Sequence, residues 1–189
     1  MIKFSIKMPL LNCLSNQNIW IQYFEYKVQN GHLGENEAQD LFRFIRNQEY
    51  IGILNKIAAE GLSTPCKKQI QKIDSTKKRI VYTFPKEENY ILKLLTYLLI
   101  RMYDGVFSPN LYSFRANYSI KQAFQHILST SNIDQYYTYK VDISDYFNSI
   151  NSSKLLDMLS LDIKDKDLFN VIKSIIGNKY TNYNEEILE

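Results

Sequence analysis

Residues 90–103 place the first constraint on this chain. The run Tyr90-Ile91-Leu92-Lys93-Leu94-Leu95-Thr96-Tyr97-Leu98-Leu99-Ile100-Arg101-Met102-Tyr103 is apolar on nearly every side. As a helix it would be roughly 21 Å long, short of the ~30 Å hydrocarbon core of a bilayer, and Lys93 and Arg101 interrupt it. It therefore reads as a core helix around which other elements must pack. Its start is marked on the upstream side. Pro85 stops whatever strand precedes it, and Lys86-Glu87-Glu88 put acids in the first turn, where the helix dipole favours them. The elements on either side must fit this strand-to-helix switch.

The preceding strand is Arg79-Ile80-Val81-Tyr82-Thr83-Phe84. With Gln69-Ile70-Gln71-Lys72-Ile73-Asp74 and the polar turn Ser75-Thr76-Lys77-Lys78 it forms a hairpin pattern, without an Asn-Gly turn signal. Three helical patterns come before it, over residues 18–29, 35–47 and 50–60. Ile19, Tyr23, Tyr26 and Lys27 share one face of the first, and the apolar faces of the others are Ala38, Leu41, Phe42 and Ile45, and Ile51, Leu54, Ile57 and Ala58. Gly31 and Gly34 separate the first two, and Gly61 closes the third. After the core helix come a loop over 104–118, a helix over 119–128 with Ser119 as N-cap, a strand over 139–143, and helices over 152–159 and 165–176. Residues 178–189 are polar and are expected to fray. The order is that of an α+β protein, not an alternating βαβ array. It divides into a helical region over 1–62, a hairpin-and-helix region over 63–134 and a final region over 135–189.

Composition sets limits on function. With 189 residues, of which 45% are hydrophobic and 14% aromatic, the chain can bury a core. Its net charge of +3 makes any nucleic-acid binding a matter of local patches. Tyr is abundant, and the Asn, Ile and Lys beside it fit an AT-rich coding sequence. Two cysteines, Cys13 and Cys66, and two histidines, His32 and His126, fall short of a structural zinc site. Lone cysteines fit a reducing, cytoplasmic setting. The apolar run 8–14 is too short and too proline-broken for a signal peptide, so no membrane partner is expected.

Chemistry gathers at three places. Lys140-Val141-Asp142-Ile143-Ser144-Asp145-Tyr146-Phe147-Asn148-Ser149 puts a carboxylate at a strand end and an aromatic five residues later. An acid there, beside an exposed backbone carbonyl, is half of a Mg²⁺ site; it is equally a turn former or helix cap. Lys77, Lys78 and Arg79 cluster at the hairpin turn, with Lys86 nearby. Such side chains suit phosphate clamping, or simply solvate a turn. Arg115 lies in Tyr112-Ser113-Phe114-Arg115, an aromatic setting that calls for either a carboxylate partner or a phosphate. No Gly-x-Ser-x-Gly elbow and no phosphate loop is present.

Taken in order, three segments over about residues 69–150 resemble bacterial reverse transcriptases of the group II intron and retron lineage. The segment from Lys78 through Pro85 to Leu92 is similar to that family's first fingers motif. Phe107-Ser108-Pro109-Asn110-Leu111-Tyr112-Ser113-Phe114-Arg115 is similar to the second, usually Phe-x-x-x-x-Tyr-Gly-Phe-Arg, and Ser119 and Ala123 also match. The stretch from Asp142 to Phe147 is similar to motif A. The resemblance implies right-hand polymerase fingers plus the first part of a palm, and RNA-directed DNA polymerisation. It implies Asp142 as a catalytic, metal-binding aspartate, with the Ile143 backbone carbonyl as a further ligand and two Mg²⁺ ions in the complete site. It implies Phe147 as a steric gate against the ribose 2′-OH, and Lys77, Lys78, Arg79 and Arg115 as triphosphate ligands. The implied partners are an RNA template, a DNA or RNA primer, dNTPs, and the rest of a palm and thumb in cis or on another chain. The wording around Asp142 also looks like lineages linked to phage (antiviral) defence.

The departures are specific. Asn89-Tyr90 stands where intron enzymes have Asp-Arg, Ser113 replaces Gly, and the interval from Arg79 to Pro85 is one residue longer. Motif B and the Tyr/Phe-x-Asp-Asp pair do not follow Asp142. One carboxylate cannot hold two metal ions productively, so the chain alone is expected to be inactive, as a fragment, a split half or a degenerate copy. The other readings are a non-catalytic RNA- or template-binding module derived from a polymerase, and an α+β interaction domain.

Overall fold

The computed structural model describes residues 10–71, 78–115, 118–144, 146, 149–177, 181–183 and 186–188. The long helix forms as its pattern requires. Labelled α5, it spans Lys86–Tyr103 and buries Tyr90, Ile91, Leu94, Leu95, Tyr97 and Leu98. Around it pack α1 (Leu10–Leu14), α2 (Gln17–Gln29), α3 (Glu35–Arg46) and α4 (Glu49–Glu60). Asn16 caps α2 by accepting the Asn18 N–H at 2.9 Å, satisfying a donor the helix leaves orphaned. Gly61 ends α4 at φ 81°, a left-handed backbone that glycine adopts without strain. Trp20 is completely buried: its ring stacks on Tyr50 at 5.2 Å, and its Nε1–H donates to the Leu14 carbonyl at 2.7 Å.

Two sequence expectations need adjustment in this core. In α3 the buried ring is Phe44 rather than Phe42, which is exposed and lies 5.7 Å from Phe24. In α4 only Tyr50 is fully buried and Ile51 is exposed. Both helices are rotated slightly from the faces the periodicity picks out, so that Phe44 and Tyr50 meet Trp20.

The hairpin also forms. Strands β1 (Cys66–Gln71) and β2 (Lys78–Thr83) pair antiparallel, from Cys66 opposite Thr83 to Gln71 opposite Lys78. Ile70, Ile80 and Tyr82 are exposed, so the ladder stands largely in solvent. Its base is clasped to the helical body. The Glu88 carboxylate, buried in the first turn of α5, accepts the Ser63 N–H at 3.0 Å and the Ser63 hydroxyl, with Lys56 Nζ 4.0 Å away. Lys86 pairs with Asp40, and Lys93 with Glu37 at 3.0 Å, tying α5 to α3.

Beyond α5, a 3₁₀ turn over Asp104–Val106 leads to α6 (Ile120–Leu128), α7 (Ser152–Asp162) and α8 (Lys166–Ile176). Ile163 and Leu168 join the same core as Trp20 and Leu94, so the last helices pack on the first ones. The expectation that the end of the chain frays is corrected. Strands β3 (Thr181–Tyr183) and β4 (Glu186–Leu188) extend the sheet to the order β2-β1-β3-β4, with β3 parallel to β1 where Cys66 meets Asn182. Backbone pairing to an existing strand offsets the weak intrinsic propensity of so short a segment.

The strand expected over 139–143 is the second correction. Residues 137–143 carry no strand, and Tyr137, Tyr139, Val141 and Ile143 are all exposed. A strand exists only through its neighbours, and none of the described strands lies beside this segment. Overall the chain is α+β, with helices dominating and one small mixed sheet. Among the described residues, no helix is long and apolar enough to cross a membrane.

Candidate functional site

The basic hairpin places Lys78 at the far end of the described ladder, opposite Gln71, and exposed. Arg79 takes the next ladder position, opposite Ile70. Lys77 and Phe147 lie outside the described residues, as does the turn over 72–77. Lys86 is committed to Asp40; their hydrogen bond holds the Asp40 carboxyl below its usual range and raises the Lys86 ammonium.

Arg115 resolves in favour of a carboxylate partner. Its side chain is 5% exposed, and its Nε–H donates to Asp104 Oδ1 at 2.9 Å. The two terminal nitrogens donate to the carbonyls of Ser108 (2.9 Å), Leu111 (3.4 Å) and Asp104 (3.2 Å). The guanidinium also lies 3.9 Å from the Tyr118 ring. The hydrogen bond that Arg115 donates to Asp104 raises its pKa. A guanidinium engaged this fully works as a staple that folds the loop over 104–118 back onto the end of α5. It offers little to an incoming phosphate in this arrangement.

The departures from the family pattern also acquire physical content. Tyr90 is buried and packs 5.1 Å from Phe44, a core contact. Asn89 donates from Nδ2 to the Phe84 carbonyl at 2.9 Å, helping to close the strand-to-helix corner at Pro85. Ser113 costs no backbone strain, because the left-handed residue in that loop is Phe114, at φ 58°. Ser119 sits at the N-cap position of α6 but makes no capping bond; its hydroxyl meets the Gln122 side chain. His126 is exposed and contacts the Tyr112 hydroxyl.

Asp142 is exposed, next to Ile143 in the unpaired segment. The apolar residues 137, 139, 141 and 143 alternate as in a half-buried strand, which would put Asp142 on the opposite face from them. Among the described residues, no three His, Cys, Asp or Glu side chains come together to hold a metal ion. One exposed carboxylate does not fit a two-metal centre. The sequence candidates therefore fall into two separate groups, the hairpin ladder and the Asp142 segment, while Arg115 is structural.

One feature escaped sequence reasoning altogether. A cleft of about 450 Å³ opens between α2 and α5, lined by Tyr23, Tyr26, Lys27, Lys93, Tyr97 and Arg101, with Phe114 and Arg115 at its edge. Arg101 lies flat on two rings, 3.5 Å from Tyr97 and 4.4 Å from Tyr26. Lys27, Tyr26 and Tyr23 were legible as one helical face, but their meeting with Lys93 and Arg101 depends on how α2 crosses α5. No family model matches the chain, and no curated protein matches it.

Proposed function

We propose that this chain is the fingers and opening part of the palm of an RNA-directed DNA polymerase, completed by carboxylates that the described residues do not supply. Support comes from the order of the three family-like segments. It comes also from the route of the chain, in which a basic ladder enters a long core helix through Pro85. The observation that carries most weight is the Asp142 segment. A carboxylate is set in an alternating apolar run whose side chains all face solvent, the pattern of a palm strand that lacks its sheet.

In this reading Lys78 and Arg79 attract and orient phosphates of the primer–template or the incoming dNTP, by charge and by bidentate geometry. The 137–143 run pairs with strands of the completing part. Asp142 then faces the reacting phosphate, and Phe147 limits the space beside the sugar. The Arg115 staple holds the loop on which this surface rests.

The test has two arms. The chain alone should bind an RNA–DNA primer–template, and the double variant Lys78→Ala, Arg79→Ala should lower the slope of log affinity against log salt by roughly 1 to 2. Co-expressed with the reading frame adjacent to its own, the chain should extend a DNA primer on RNA, and Asp142→Asn should abolish extension while leaving binding intact. Extension that survives Asp142→Asn sinks the polymerase reading. The second reading, a non-catalytic template-binding module, is favoured by the engaged Arg115. Binding without extension in any pairing would establish it.

A further inference from the structure

The cleft between α2 and α5 shares Leu92, Phe114 and Arg115 with the segments behind the polymerase reading, but its cations and rings on α2 lie outside them. Four cations, Lys27, Lys93, Arg101 and Arg115, share the cleft with the rings of Tyr23, Tyr26, Tyr97 and Phe114. Glu37 is bound to Lys93 at 3.0 Å, and Asp104 to Arg115 at 2.9 Å. Arg101 is satisfied by the rings beneath it and by the Tyr97 carbonyl at 3.4 Å. The Lys27 ammonium makes no ion pair or hydrogen bond among the described residues, while the Lys27 carbonyl accepts the His32 N–H at 3.0 Å. Burial, and the Lys93 ammonium facing it, push Lys27 below the usual lysine range, and Glu37 only partly offsets this. A half-buried ammonium in such company is stabilised by an anion.

The apolar part of the lining narrows the class of anion. Phe114 stands at the mouth, 90% exposed, on a left-handed backbone that costs energy for any residue but glycine. An exposed ring held under strain at the edge of a cationic cleft offers a stacking face. Inorganic phosphate would use the cations and leave the rings idle, and an apolar ligand would leave Lys27 uncompensated. A ligand with a flat aromatic ring and a phosphate answers both, and about 450 Å³ lies within the usual range for small-molecule sites.

We infer that the α2–α5 cleft binds a nucleoside monophosphate unit, its base against the exposed Phe114 ring and its phosphate at Lys27 and Lys93. The unit is either a free nucleotide or one residue of a single strand. This site is separate from Asp142 and does not depend on the polymerase reading.

Calorimetric titration of the full chain with AMP, adenosine and inorganic phosphate tests it. AMP should bind, and each of the other two should bind at least about ten-fold more weakly, because each uses half of the site. Lys27→Gln should weaken AMP about ten-fold and Phe114→Ala about five-fold, with the melting temperature unchanged for the exposed Phe114 position. Asp142→Asn should leave AMP affinity unchanged, so loss of polymerase function and loss of this site are read separately. Displacement of AMP by (rA)6 would make the unit part of a strand, and AMP binding without displacement would make it a free nucleotide. The inference is overturned if neither AMP nor (rA)6 binds, or if whatever binds is indifferent to both variants.

Discussion

Trp20 and Tyr139 are both large aromatics in apolar company, yet one is fully buried and the other almost fully exposed. The contrast holds for their regions. The first five helices, with Ile163 and Leu168, close around a continuous apolar core. Between residues 106 and 150, Val106, Phe114, Ile120, Phe124, Leu128, Tyr137, Tyr139 and Val141 face solvent, and α6 buries nothing. Apolar surface on that scale is uncommon unless a partner covers it. One region folds against itself, and the other leaves most of its described apolar side chains in solvent.

The hardest blow to the packed region is Trp20→Ala, which removes the stacked indole and its bond to Leu14. It should cost about 3–5 kcal/mol in a denaturant melt. If it costs no more than a surface change, the core is not where the buried rings place it. Next is Glu88→Ala, which unclasps Ser63 from α5; loss of hydrogen bonds to a buried carboxylate should cost roughly 1.5–3 kcal/mol. The smallest effect on stability belongs to the exposed region. Tyr137→Ser with Tyr139→Ser should shift the melt by less than about 0.5 kcal/mol, while abolishing association with a completing polypeptide. A large destabilisation by that pair would erase the contrast between the regions.

Helices α2 to α5 of the packed region were legible because each bears a local signal. Gly34 and Gly61 punctuate α3 and α4, Pro85 opens α5, and the apolar spacing runs long enough to fix their type. Local signals fail where structure depends on partners distant in the chain. The five residues of α1 are too few to show a period, and β3 is a polar triplet whose only qualification is proximity to Cys66. The 139–143 pattern is a true strand pattern, but pattern alone supplies no neighbour. Arg115 showed its need for a partner in its aromatic setting, and choosing Asp104 over a phosphate took the fold of the whole loop. The α2–α5 cleft is the extreme case, since its two halves lie on helices separated by the entire hairpin.

The Ser63–Glu88 clasp has a mechanical consequence. It closes the segment from 63 to 88 into a loop whose base is fixed, while Ile70, Ile80 and Tyr82 of the ribbon beyond it are exposed. Six ladder residues at about 3.3 Å each make a lever of roughly 20 Å. A tilt of about 10° at the clasp then carries the Gln71–Lys78 end through roughly 3.5 Å, about one hydrogen-bond length. Contacts made at Glu88 thus set the aim of charges a full ribbon away. A change of a few degrees there would steer Lys78 without altering a single residue near it.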